Sequence, residues 1–144
     1  MQSVDARVLE RIREVLERSP GVRIAYLFGS TARGQDRETS DVDIAVVLDA
    51  SSPLATSPHE EDRLQEELER AAGRDVDLTM LDRAPPLLVA EVLREGRVLL
   101  CRDEDERAEL ELRLRAIVLD TEHLRAVQRG YLRERAEERR GAQG

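Results

Sequence analysis

The sequence predicts an α/β fold: a small mixed β-sheet of about four strands flanked by helices, with a helical extension at the C-terminal end. Three observations carry this. Short apolar runs alternate with longer stretches of helical periodicity. Gly29 closes the first run and Asp41 opens the second, and these two can meet only if the strands run antiparallel. The second strand, a helix and the third strand form a crossover unit, the arrangement that places two strands parallel. The sheet is therefore mixed, and one of its ends is acidic.

Each element follows from local sequence. Val4, Val8, Ile12 and Val15 recur at helical spacing over residues 4–18, with charges opposite, until Ser19-Pro20-Gly21 stops the helix. Val22–Phe28 is the first strand and Val42–Leu48 the second. Residues 50–57 are a Ser/Pro loop, and Pro58-His59 leads into a helix that ends near Ala72-Gly73, with a capping role expected for His59. Asp75–Leu81 is the third strand. Pro85-Pro86 opens a helix that runs through Arg94 and is closed by Gly96, and Arg97–Cys101 is a short fourth strand. From Asp103 to about Arg139 the pattern is helical, with interruptions expected near Thr121 or Gly130. Its apolar stripe, Leu110, Leu114, Ile117, Val118, Leu124 and Val127, reads as core packing against the sheet. Residues 1–104 form the expected core and 105–144 an extension of the same domain.

Composition narrows the function. The chain has 144 residues, 40% hydrophobic and 38% charged, with a formal net charge of −8. An acidic balance argues against broad nucleic-acid binding, and one Phe, two Tyr and no Trp leave little for base stacking. All 23 basic residues are arginine, which decides nothing about function. A single cysteine, Cys101, excludes an intrachain disulfide and a multi-cysteine zinc site, and it reads as a buried small apolar residue. His59 and His123 lack ligand spacing to it. No apolar run approaches the length of a membrane span, and the first residues are too charged for a signal peptide, so a cytoplasmic protein is expected.

The chemistry concentrates in residues 26–48. Gly29-Ser30 is followed, ten residues on, by Asp41-Val42-Asp43 at the start of a strand. Residues two apart on a strand share a face, so Asp41 and Asp43 project side by side next to a Gly-Ser turn. Two carboxylates about 5 Å apart repel by roughly 3 kcal/mol at an effective dielectric near 20, a cost that a shared cation removes. Hard divalent cations such as Mg²⁺ bind through one or two carboxylates and substrate phosphates. The Gly-Ser turn offers backbone N–H groups and a hydroxyl to phosphate oxygens, and only glycine lets backbone approach so closely. Metal carboxylates beside a phosphate cradle point to phosphoryl or nucleotidyl transfer. On the third strand, Val76, Leu78 and Met80 alternate with Asp75, Asp77 and Thr79, which levels Asp77 with the pair. Arg33 lies one helical turn beyond Ser30, within reach of a triphosphate.

The run from Gly29 to Leu48, with Ala32-Arg33-Gly34 and Ser40-Asp41-Val42-Asp43 in order, resembles the signature of the DNA polymerase beta-like nucleotidyltransferases. It looks most like the minimal nucleotidyltransferases, the MNT antitoxins encoded beside HEPN-domain toxins, and the likeness covers about residues 1–105. The resemblance implies a nucleotidyltransferase fold and Mg²⁺-dependent transfer of AMP from ATP, with two ions and Mn²⁺ as a substitute. It implies Asp41, Asp43 and Asp77 as metal ligands, Asp77 also as proton acceptor, and Gly29, Ser30 and Arg33 on the nucleotide. Asp75 competes with Asp77 for the third carboxylate. The acceptor implied is a tyrosine of a HEPN RNase toxin, which AMP transfer would silence; no nucleic acid or membrane is an expected partner. Two alternatives remain at this point: a small-molecule, aminoglycoside-type nucleotidyltransferase, and a non-catalytic antitoxin that acts by contact alone. The charged tail beyond Arg125 reads either as solvated or as a docking helix.

Overall fold

The computed structural model describes residues 5–32 and 41–143. In chain order these form α1 (Ala6–Glu17), β1 (Val22–Phe28), α2 (Gly29–Ala32), β2 (Val42–Leu48), α3 (Pro53–Thr56), α4 (Pro58–Ala72), β3 (Val76–Met80), a 3-10 turn (Leu81–Arg83), α5 (Pro86–Glu95), β4 (Arg97–Cys101) and α6 (Glu104–Gln143).

The helix ends follow from capping chemistry. The Asp5 carboxylate accepts from Val8 N–H at 2.9 Å and starts α1. The hydroxyl of Ser57, rather than His59, caps α4 by accepting from Glu60 N–H, with Pro58 at the first helical position and Gly73 in the left-handed region at its end. Glu60 and Glu61 in its first turn and Arg70 in its last complement the helix dipole.

The sheet order is β3-β2-β1-β4. β1 pairs antiparallel with both β2 and β4, and β2 pairs parallel with β3 across the α4 crossover, as the sequence predicted. One face packs on α1 and α4: Leu9, Ile12, Leu16, Leu64 and Leu68 meet Val22, Ala25, Leu27, Val42, Ile44 and Val46. The other packs on α5 and the first half of α6: Val89, Val92, Leu110 and Leu114 meet Ile24, Tyr26, Phe28 and Ala45. At the end of β4 the Arg102 guanidinium donates to the carbonyls of Leu16, Glu17, Ser19 and Val22 at 2.6–3.2 Å. It satisfies carbonyls that the end of α1 leaves without helical donors.

Four further expectations are corrected. The third strand is one residue shorter at each end than predicted; Asp75 precedes it, although its carbonyl accepts from Val42 N–H at 2.9 Å. The C-terminal helix is continuous through Thr121 and Gly130 and runs on to Gln143. Thr121 returns its hydroxyl to the Ile117 carbonyl at 2.9 Å, and a single glycine costs a helix only about 1 kcal/mol. The apolar stripe of α6 is core only in part. Leu110 and Leu114 are buried and Val118 is half-buried, but Ile117, Leu124 and Val127 are exposed. Cys101 is half-buried rather than fully enclosed. Among the described residues, no helix is long and apolar enough to cross a membrane.

Candidate active site

The site is built where strands change direction. β1 ends at Phe28, and Gly29 turns the chain with φ +72° into the single turn of α2. Phe28 is the antiparallel partner of Asp43, and Asp43 is the parallel partner of Asp77. The C-terminal end of β1 and the N-terminal ends of β2 and β3 therefore lie on one edge of the sheet. Residues in register on adjacent strands point to the same face. Asp43 and Asp77 thus share the face of Phe28 and Ala45, with Asp41 two residues upstream, just outside β2.

Gly29 is required twice over. Its positive φ disfavours any side chain, and a Cβ built there would collide with the Oδ2 of Asp43. The backbone of the Gly-Ser turn therefore lies directly against the Asp43 carboxylate. Thr31, buried at 2% exposure, donates its hydroxyl to the Phe28 carbonyl at 3.2 Å and closes the turn. Sequence reasoning overlooked Thr31. The signal was its place three residues after the strand end, where a hydroxyl bonds locally to backbone.

Asp43 is half-buried, while Asp41 and Asp77 are exposed. Asp75 lines a shallow groove with Glu66, Glu69, Arg70 and Arg74 on the α4 side, so Asp77 is the carboxylate in register with Asp43. The backbone of Ser30 is part of α2. Arg33 and Gly34 lie outside the described residues. Among the described residues, no three His, Cys, Asp or Glu side chains stand together closely enough to hold a metal ion by themselves. The donor set nevertheless suits a hard divalent cation. Mg²⁺ is held by one or two carboxylates with water and substrate phosphates completing its shell, rather than by an all-protein cage.

Beneath this edge, two residues before Phe28 on the same face, Tyr26 donates its hydroxyl to Glu111 Oε1 at 2.9 Å. Burial, and then the adjacent carboxylate, push the Tyr26 hydroxyl well above the usual tyrosine range. Glu111 also receives Arg107 at 3.3 Å and Arg115 at 3.7 Å, so the network fastens α6 to β1.

A Gly-Ser turn set against Asp43 of an Asp-x-Asp pair is the arrangement expected of a nucleotidyltransferase. The chain belongs to the polymerase beta nucleotidyltransferase family, whose model matches residues 10–105. It is 33% identical over 95 residues to the protein adenylyltransferase MntA of Shewanella oneidensis, an alignment that covers 66% of each protein. Among solved structures it is similar to a toxin–antitoxin complex with AMP-PNP, at 26% identity and a TM-score of 0.64 over 88% of this chain and 96% of that one. A tri-AMPylated Shewanella oneidensis HEPN toxin in complex with its MNT antitoxin contains a chain with the same fold, at 24% identity and a TM-score of 0.62 over 88% of this chain and 94% of that one.

Proposed function

We propose that this protein is a Mg²⁺-dependent protein adenylyltransferase that acts as the antitoxin of a HEPN-type toxin, transferring AMP from ATP to a tyrosine hydroxyl of that partner. The carrying observation is the sheet edge that lines up Gly29, Asp43 and Asp77. Kinship with a protein adenylyltransferase and likeness to a toxin–antitoxin chain crystallised with AMP-PNP support the substrate and the pairing. Residues 1–104 are the catalytic core and 105–144 an extension of the same domain. The pair acts in the cytoplasm, where ATP is available.

The backbone of the Gly29-Ser30 turn holds the β- and γ-phosphates at the start of α2, and Arg33 adds positive charge to the triphosphate. Asp41, Asp43 and Asp77 are the ligands for Mg²⁺, or Mn²⁺ in its place. Two bound cations would supply charge neutralisation at the entering and leaving oxygens. Asp77 takes the proton from the acceptor hydroxyl as its oxygen forms a bond to the α-phosphorus. The bond from that phosphorus to the bridging oxygen breaks in line, and pyrophosphate departs.

The test is to incubate the purified protein with α-labelled ATP, Mg²⁺ and the HEPN protein encoded beside it. Label on a tyrosine of that protein is the expected outcome. Label only on an added aminoglycoside would establish the small-molecule alternative. Neutralisation of the toxin with no label would establish an antitoxin that works by contact alone.

A further inference from the structure

α6 carries one seam along its length. Leu110, Leu114, Ile117, Thr121, Leu124, Gln128, Tyr131 and Arg135 follow one another at alternating steps of four and three, the spacing of a packed helical interface. Its first two members are buried at 4% and 6% exposure against the sheet and α5. From Ile117 onward the same seam is bare: Ile117 is 49% exposed, Leu124 60% and Tyr131 57%, with Val127 and Leu132 beside them at 54% and 65%. The helix projects from the body by about 37 Å beyond Val118, at 1.5 Å per residue. An exposed helix gains no stability from such a stripe; the stripe contributes only when something covers it.

The direction of projection is fixed by the anchors. Glu106 pairs with Arg23 near the start of β1 at 2.8 Å, and Glu111 accepts from Tyr26 further along it. α6 thus travels with β1 toward the edge that carries Gly29 and Asp43. Val118 and Glu122 then line a groove with Leu93 and Arg94 from the end of α5, just before β4 begins beside Leu27. The bare half leaves the body at the carboxylate edge.

A second copy of the chain fits the full length of this seam poorly. In a parallel pair, the first half of the partner helix would occupy the space where this chain's own sheet covers Leu110 and Leu114. In the antiparallel pair that overlaps residues 117–135 end to end, Leu124 would face Gln128 and Ile117 would face Arg135. Asp120 would stand opposite Glu134, and Arg125 opposite Arg125 of the second copy. Like charges across an interface repel.

We propose, on the reading that the acceptor belongs to a protein, that residues 117–135 of α6 are the rail on which that protein substrate docks. The two flanks specify its chemistry. Arg125 borders the seam on one side, with Arg129 one turn on and further out, and together they make a basic rim; Asp120 and Glu134 make an acidic rim on the other. The occupant is a helical surface with an apolar strip for Ile117, Leu124 and Tyr131, carboxylates facing the arginine rim and basic groups facing the acidic one. Rims of opposite sign admit one orientation, and this sets which end of the substrate meets Asp43 and Asp77.

The experiment uses the full chain, Leu124→Arg, and the double reversal Arg125→Glu with Arg129→Glu. Binding is measured by calorimetry to the HEPN protein encoded beside it and, separately, to ATP with Mg²⁺. Leu124→Arg should weaken the HEPN protein about 100-fold, as loss of a central interface anchor does. The double reversal should weaken it about 10-fold and abolish the salt dependence of association. ATP binding and melting temperature should not change, and the protein alone should sediment as a monomer. Wild-type affinity in Leu124→Arg, absence of any complex with the wild-type chain, or a homodimer that Leu124→Arg dissolves would each overturn the rail. Equal affinity with label on the HEPN protein would overturn the rail and leave the adenylyltransferase reading standing. A complex broken by Leu124→Arg but carrying no label would leave the rail standing and remove the enzymatic reading.

Discussion

Leu114 and Leu124 are the same residue on the same seam of the same helix, yet one is 6% exposed and the other 60%. Nothing local separates them. Both sit in helical backbone and both belong to the same apolar periodicity. What differs is what stands opposite: Ile24, Tyr26, Phe28 and α5 for the first half of α6, and nothing of this chain among the described residues for the second. Periodicity encodes that a face is to be covered, not what covers it. On the docking proposal, the packed half serves stability and the bare half serves recognition.

If that division holds, chemistry and recognition separate cleanly, and the largest expected effect is on chemistry. Asp43→Ala removes the carboxylate that lies against Gly29 and in register with Asp77. AMP transfer should fall by at least about 10³-fold, the scale of losing a group that stabilises charge in the transition state. Binding of the HEPN protein should stay within about twofold, because the carboxylates are not on the seam. Asp77→Ala should act likewise and Asp75→Ala should not. A variant pair in which Asp43→Ala also abolishes binding would mean that the two regions are not independent.

The second expected effect addresses the two leucines directly. Leu114→Ala should cost about 2–4 kcal/mol, from lost burial plus the cavity left behind. Leu124→Ala should change stability by less than about 0.5 kcal/mol, as surface substitutions do. Urea unfolding of both variants in the protein alone reads the difference. Equal costs would show that the second half of α6 is covered in solution.

The same contrast explains what could be read from the sequence. β1, β2 and β4 match their predicted bounds because each short apolar run is bounded by turn residues, and strand direction followed from where Gly29 and Asp41 must meet. The Gly-Ser turn and the two carboxylates were legible because their chemistry depends on neighbours a few residues away. Tyr26–Glu111 was not, since it joins positions 85 apart in the chain, and no local pattern announces such a pair. The exposure of Ile117, Leu124 and Val127 was missed for the reason the two leucines illustrate. A break at Gly130 was expected from propensity alone, and that penalty of about 1 kcal/mol is small beside the continuity of the helix on either side.

A third effect tests how tightly the turn and the carboxylate are fitted. Gly29→Ala places a methyl group on the Asp43 carboxylate at a backbone angle of φ +72°. It should cost about 1–3 kcal/mol in strain and reduce AMP transfer, while leaving the α6 seam and its partner affinity untouched. Loss of partner affinity in this variant would again join the two regions that the comparison keeps apart.

The smallest expected effect concerns what fastens the packed half of α6. Tyr26→Phe keeps the buried ring and removes only the hydroxyl that donates to Glu111, whose carboxylate still has Arg107 and Arg115. The loss should be about 1–2 kcal/mol, the scale of one hydrogen bond to a charged acceptor. The pH dependence follows from the raised Tyr26 hydroxyl. In the unfolded chain tyrosine ionises near pH 10, whereas in the fold burial and Glu111 keep it protonated to higher pH. Stability from this residue is therefore complete below about pH 10 and declines as pH rises beyond it, because the unfolded state then releases a proton that the folded state retains. Tyr26→Phe has no such proton to release. The stability gap between wild type and variant, measured by urea unfolding from pH 7 upward, should be constant to about pH 10 and shrink above it. A gap that stays constant into strong alkali would mean that Tyr26 is not held between the sheet and Glu111, and that α6 is fastened by its leucines alone.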